Sequence, residues 1–135
     1  MTPILVSTLL VALGGGVGGM GRAWISELVA RRYGEAFPWG TLVVNVSGST
    51  CIGVLAGLLL DGGALTAKQT PLWAGLVLGM LGSYTTVSSF SLQTLALVRA
   101  GEPVRAALNV VASLSLCLSA AGGGYAVARA TAAGT

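Results

Sequence analysis

The segment GSYTTVSSFS, residues 82–91, carries seven hydroxyl side chains in ten positions and lies within a stretch, residues 69–98, that contains no charge. Hydroxyl groups donate and accept hydrogen bonds, so a row of them can replace the water around a small ion. A few such side chains in a membrane helix can bond back to carbonyls of their own helix. This density, next to a glycine, instead predicts a broken helix whose freed carbonyls face a cation.

Further uncharged donors lie in the other apolar parts of the chain. Asn45 is the only amide in its apolar stretch, and its NH2 group could bond to a neighbouring helix or point at an anion. Asn109 and Ser113 are one helical turn apart and share a face. Gln93 follows Phe90 by three residues and is predicted to lie on the same side of its helix.

Arg22 directly follows the first apolar stretch, where it could act inside the membrane or extend its guanidinium to the interface. No acidic residue falls within an apolar stretch, so the buried carboxylate of a proton-coupled transporter is missing. The chain has no histidine, and its one lysine, Lys68, lies in a predicted loop, which leaves no nucleophile–base pair. The available chemistry is hydrogen-bond donation without titration, which suits passive passage of a small ion.

The composition predicts the elements that must position these groups. Only 8% of the 135 residues are charged and 54% are hydrophobic, with a mean hydropathy of +0.86, whereas about a quarter of the residues in soluble domains are charged. The charges leave four apolar stretches, each long enough for the roughly 20 residues of a membrane-crossing helix: residues 2–21, 36–60, 69–98 and 106–128. The net charge of +3 is interpreted as charge flanking a membrane, so a lipid bilayer and no nucleic acid is the expected partner.

We therefore predict an all-α integral membrane protein, a multi-pass protein of the cell membrane made of one domain. Its four transmembrane helices are expected over residues 3–31, 39–60, 71–98 and 104–129, with the third broken near its middle. Lipid provides no hydrophobic drive for helix association, so the glycines spaced by four residues are expected to let helix backbones approach closely. Four helices enclose little interior, and a polar pathway built from them is expected to need a second copy of the chain.

Three segments, taken in order, resemble one known family. These are GGGVGGMGRAW in the first helix, GTLVVNVSGSTCIG in the second and GMLGSYTTVSSFSLQT in the third. They are similar to the motifs of the Fluc/CrcB type of fluoride channel. The resemblance implies a passive channel that exports cytoplasmic fluoride and lowers its toxicity. It also implies a dual-topology dimer, two antiparallel chains with two pores and a structural sodium ion at the dimer interface.

The resemblance also implies roles for individual residues. The sodium ion would be held by the backbone carbonyls of Gly82 and Thr85, and Asn45 would donate to fluoride. Together with the donors named above, the predicted fluoride pathway comprises Asn45, Val87, Ser88, Ser89, Phe90, Gln93 and Ser113. For Arg22 and Asn109 we predict vestibule or structural roles.

The chain departs from the family pattern at three positions: Ser83 replaces a glycine, Gln93 a glutamate and Val87 a phenylalanine. Val87 matters most because a valine has no positive ring edge to offer an anion. One hypothesis is therefore that the partner is a paralogous subunit rather than a second copy of this chain, with this chain as its non-conducting half. Another interpretation is a small dual-topology multidrug or cation exporter, which would rely on an embedded glutamate; the nearest candidate is Glu27.

Overall fold

The chain forms four helical regions, and the computed structural model describes residues 3–60 and 70–133. The first, second and fourth regions are single helices: α1 (Pro3–Tyr33), α2 (Trp39–Leu59) and α6 (Pro103–Ala133). The third consists of α3 (Thr70–Trp73), a π-helical segment (Ala74–Leu81) and α4 (Gly82–Tyr84), followed after two residues by α5 (Val87–Arg99). The predicted all-helical fold with an interrupted third helix is thereby confirmed.

Two of the connections are closed by glycines in the left-handed conformation. Gly34 has a φ of 78° and ends α1, while Gly101 has a φ of 76° and follows α5. At the second of these ends, the Gly101 N–H donates to Val98 O and the Glu102 N–H donates to Leu97 O. This pair of bonds satisfies carbonyls that the end of a helix would leave free. The helices therefore stop at positions that the local sequence dictates.

Three helices are long and apolar enough to cross a membrane: Ile4–Tyr33, Trp39–Leu59 and Pro103–Ala133. Many of their large apolar side chains point outward; Leu13 is 69% exposed and Leu118 is 72% exposed. Such exposure would be costly in water, but it is the expected arrangement where lipid is the solvent. The third region is divided by its break, and each half alone is too short to span.

Glycines bring the helix backbones together in two main pairings. α2 packs most extensively against α6, and α1 packs against the π-helical segment. A methyl group added at Gly53 of α2 would overlap the carbonyl oxygen of Ala121, and one added at Gly18 of α1 would overlap that of Met80. These contacts provide the close van der Waals packing that membrane helices depend on.

The π-helical segment is a feature that the sequence did not predict. It occupies eight residues and leads directly into Gly82, whose N–H reaches the carbonyls of Val77 and Gly79. Gly79 in this segment lies against Val11 of α1, where an added methyl carbon would be 2.7 Å from the carbonyl oxygen. Wide turns of this kind occur often at functional sites, and this one directly precedes the break.

Replacement of Gly53 by alanine should destabilise the fold, because the new methyl group must push α2 and α6 apart at a backbone contact. Overpacking of this kind typically costs roughly 1–3 kcal/mol. The matched control is Gly122→Ala on α6, where an added methyl group meets nothing within 4 Å. Thermal unfolding in detergent measures both variants. An equal melting temperature for Gly53→Ala and Gly122→Ala would contradict a close backbone contact between α2 and α6.

Candidate functional site

The break in the third region consists of two extended threonines. Thr85 has φ −75° and ψ 157°, and Thr86 has φ −151° and ψ 123°. Thr85 closes the preceding helix, because its N–H and its hydroxyl both donate to Leu81 O at 2.9 Å. Thr86 opens α5 as its N-cap, since its hydroxyl oxygen accepts from the Ser89 N–H at 3.1 Å. The predicted break therefore lies at adjacent threonines of the hydroxyl-rich segment.

Asn45 of α2 bridges to this break through both atoms of its amide. Its Nδ2 donates to the carbonyl oxygen of Thr86 at 2.9 Å, and its Oδ1 accepts from the Thr86 N–H at 2.8 Å. A carboxamide carries a donor and an acceptor side by side, so it can bond to both the C=O and the N–H of one residue. The side chain thus replaces the helical acceptor that the Thr86 N–H has lost and adds a bond to Thr86 O. One hydrogen of the NH2 group is not used in this pairing.

The same contacts release two backbone carbonyls. In a continuous α-helix, Gly82 O would accept from the Thr86 N–H and Thr85 O from the Ser89 N–H. In this chain the Thr86 N–H goes to Asn45 and the Ser89 N–H goes to the Thr86 hydroxyl. Gly82 and Thr85 are the residues whose carbonyls were predicted to hold a cation. In residues 3–60 and 70–133, no group of three or more His, Cys, Asp or Glu side chains could hold a metal ion; a cation at the break would rely on backbone and hydroxyl oxygens.

A cavity of about 450 Å³ lies beside the break, between α2 and α6. It brings together six residues predicted for the pathway or the cation site: Asn45, Gly82, Thr85, Val87, Phe90 and Ser113. Its polar side chains are uncharged, and the remaining wall is apolar. Such a cavity offers hydrogen-bond donors to an ion without a titrating group.

A second cavity of about 460 Å³ lies next to the connection between α1 and α2. It contains Gln93 of α5, whose Oε1 is buried and has no hydrogen-bond partner in the described part of the chain. It also contains Thr41, which is one turn from Asn45 on α2, just as Gln93 is about one turn from Phe90 on α5. Along α2 and α5 the two cavities therefore lie about one helical turn apart.

Ser88 and Ser89 were predicted for the pathway, but they line neither cavity. Both hydroxyls lie against the hydroxyl oxygen of Thr86, at 3.2 and 3.1 Å. Thr86 itself is only 8% exposed. In this chain the two serines thus belong to the hydroxyl cluster that caps α5.

Asn109 and Arg22 also lie outside both cavities. Asn109 is 2% exposed and donates from Nδ2 to the Thr94 hydroxyl at 2.9 Å; Thr94 in turn donates to Phe90 O at 2.7 Å. This chain of bonds joins α6 to α5 and fixes the backbone of Phe90. Arg22 is half-buried on α1 and makes no ion pair within the described residues.

Among the lining residues not assigned to the site from the sequence are Thr41, Ser49 and Cys117. Their spacing held a usable signal. Thr41, Asn45 and Ser49 follow one another at four-residue intervals, as do Ser113 and Cys117, and residues four apart share one face of a helix. A search for polar residues at that spacing around Asn45 and Ser113 would have found all three.

Comparison with known proteins agrees with this geometry. A family model described as "CrcB-like protein, Camphor Resistance (CrcB)" matches residues 9–125. The fluoride-specific ion channel FluC 2 of Rhodopseudomonas palustris (strain BisB18) is 54% identical over 129 residues, which cover 96% of this chain and 98% of the relative. FluC 2 of Bradyrhizobium diazoefficiens is 47% identical over 93% of this chain and 90% of its own length. FluC of Opitutus terrae is 54% identical over 83% and 84%, respectively.

The family model covers most of the described helices, including both halves of the broken third region. The relatives are similar over nearly their full lengths, so the likeness is not confined to one motif. The chain therefore belongs to the CrcB family, whose matched members are membrane ion channels and not enzymes.

Proposed function

We propose that this chain forms a passive, fluoride-selective channel that lets cytoplasmic fluoride leave the cell and so lowers its toxicity. The proposal rests mainly on the cavity beside the break, where Asn45 bonds to Thr86. This cavity is lined by hydrogen-bond donors that carry no charge. The relatives named as fluoride-specific channels support it by their identity over most of the chain. Cavity residues need only donate hydrogen bonds, because passive flow needs no coupled proton or nucleotide.

Fluoride is small and strongly hydrated, so the pathway must supply donors in place of water. The unused N–H of Asn45 and the hydroxyls of Ser49 and Ser113 lie around the cavity at the break. The ring edge of Phe90 adds a partly positive apolar surface. The N-terminus of α5, a helix of 13 residues, also faces this region and favours negative charge.

The opposite helix end at the break favours a cation. Residues 70–84 end there, and the C-terminal end of a helix carries partial negative charge. We place the sodium ion of the proposal at the carbonyls of Gly82 and Thr85, which lack their helical donors. A fixed cation beside the path would attract an anion in surroundings of low dielectric constant.

This cation site is incomplete in one chain, which supports the proposed dimer. Hard cations such as Ca²⁺ and Mg²⁺ take about six or more oxygen ligands in proteins, and one chain offers two freed carbonyls. Gly82 is exposed, and a methyl group added there would meet only Val77 O at 3.4 Å. The glycine is thus not required by contacts within this chain. A second, antiparallel chain approaching at Gly82 would complete the site and would explain why this position carries no side chain.

Val87 supports a second candidate, in which the partner is a paralogous subunit. Its side chain is 76% exposed at the cavity where the family pattern has a phenylalanine. A partner subunit with phenylalanine at this position would give a dimer with one complete fluoride pathway. The exporter alternative is less well supported, because Glu27 is exposed and pairs with Arg31 at 2.8 Å instead of lying inside the helix bundle.

The direct test of the proposal is fluoride efflux from liposomes that contain only this purified protein, followed with a fluoride electrode. We expect rapid efflux of fluoride and none of chloride under the same gradient. Well-folded protein that releases neither ion would overturn the proposal for a self-sufficient channel. Efflux restored by a co-reconstituted paralogous chain would then identify this chain as a subunit of a mixed dimer.

Introducing phenylalanine at Val87 should speed fluoride efflux in this assay, because the new ring places a positive edge at the cavity. The matched control is Leu92→Phe, since Leu92 is also exposed on α5, at 69%, but lines neither cavity. The control should conduct as the parent protein does. Equal or slower efflux from Val87→Phe would show that the pathway does not use a ring at this position.

A further inference from the structure

Tyr84 is the last residue before the break and is held by a second contact from α2. Its hydroxyl lies 2.9 Å from the hydroxyl oxygen of Ser47. The Ser47 hydroxyl also lies 3.1 Å from Val44 O, so both hydroxyls are satisfied when Ser47 donates to Val44 O and Tyr84 donates to Ser47. The bond joins the end of residues 70–84 to the middle of α2.

The ring of Tyr84 lies between two glycines on different helices. A methyl carbon added at Gly48 of α2 would be 3.2 Å from Cδ1, and one added at Gly21 of α1 would be 3.7 Å from Cδ2. One edge of the ring thus faces α2 and the other faces α1. The hydroxyl is fixed by Ser47 at the far end of the ring, so the side chain has little freedom to turn.

These contacts hold the chain on both sides of Thr85, with one anchoring residue of α2 on each side. Ser47 holds residue 84 and Asn45 holds residue 86, and both anchors come from α2. Between them, Thr85 is extended and its carbonyl has lost its helical donor. That carbonyl lies in the same peptide plane as the Thr86 N–H, which Asn45 holds, and the peptide before Thr85 belongs to the end of residues 70–84, which Tyr84 ties to α2.

We infer that Tyr84 is a positioning residue of the ion site: its hydrogen bond to Ser47 and its packing between α1 and α2 aim the freed carbonyls of Gly82 and Thr85 at a bound cation. This inference rests on the proposed channel function and on the sodium site. Tyr84 lines neither cavity, and its effect on the ion site is exerted through the neighbouring backbone. Tyr84 does not contact the fluoride pathway itself.

The inference predicts that the sodium concentration needed for conduction depends on the Tyr84 hydroxyl. Without the hydroxyl, the end of residues 70–84 keeps its backbone bonds but loses its side-chain bond to α2, and the carbonyls of Gly82 and Thr85 spend less time in the arrangement that binds a cation. One neutral hydrogen bond changes such an equilibrium by roughly 2- to 10-fold. The sodium concentration for half-maximal fluoride efflux should rise by that factor, whereas efflux at saturating sodium should remain unchanged.

The experiment measures initial rates of fluoride efflux from liposomes over a series of sodium concentrations, with N-methylglucamine as the replacing cation. Tyr84→Phe keeps the ring and removes the hydroxyl, and Ser47→Ala removes the hydrogen-bond partner of that hydroxyl. The double variant Tyr84→Phe/Ser47→Ala tests whether both act through the same bond. The control is Tyr125→Phe on α6, since Tyr125 is 43% exposed and makes no hydrogen bond from its hydroxyl in the described residues.

The expected result is an equal rise in the half-maximal sodium concentration for both single variants and no further rise in the double variant, since the two share one interaction. Tyr125→Phe should match the parent protein. Unchanged sodium dependence in Tyr84→Phe would overturn the inference, as would a loss of rate that is the same at every sodium concentration, which would indicate a structural role alone. A parent protein that conducts without sodium would also overturn it, whereas a parent that passes no fluoride would instead refute the proposed function.

Discussion

The pairing of one side-chain amide with the backbone N–H and C=O of one residue determines the arrangement of the whole site. In a membrane, an unpaired backbone group costs several kcal/mol, so an extended residue can persist in the middle of a helix only if something satisfies it. Asn45 does this for Thr86 with two short hydrogen bonds. The break and the release of the Gly82 carbonyl depend on that pairing, while the Thr86 hydroxyl releases the carbonyl of Thr85.

The break divides one helical region into two ends of opposite partial charge. The end of residues 70–84 presents freed carbonyls, while the start of α5 presents N–H groups and a capping hydroxyl. The two helix ends can therefore stabilise an anion and a cation within a few residues of each other, without any charged side chain at the break itself. The rest of the bundle supports this arrangement through glycine contacts that keep α1 against residues 70–84 and α2 against α6.

Much of this architecture could be predicted because few residues carry charge. The positions of the charges alone delimit four apolar stretches, and the hydroxyl-rich segment within the third marks the break at Thr85 and Thr86. The partner of Asn45 could not be predicted, because an amide in a membrane helix can hydrogen-bond to a neighbouring helix or to an ion. The π-helical segment left no pattern in the sequence, since its residues are as apolar as those of an ordinary helix. The assignment of Ser88 and Ser89 to the pathway by motif stays a prediction. Their contact with Thr86 could not be predicted, because side-chain direction near an N-cap depends on the local hydrogen bonds.

The measurement that tests this account most directly is fluoride efflux by Asn45→Asp. The aspartate has nearly the same shape and can still accept from the Thr86 N–H, but an ionised carboxylate cannot donate to Thr86 O or to an anion, and it adds a negative charge to the path. The account predicts a folded protein, by size-exclusion chromatography and circular dichroism, that has lost fluoride efflux. Conduction at the parent rate would contradict a central role for the amide of Asn45.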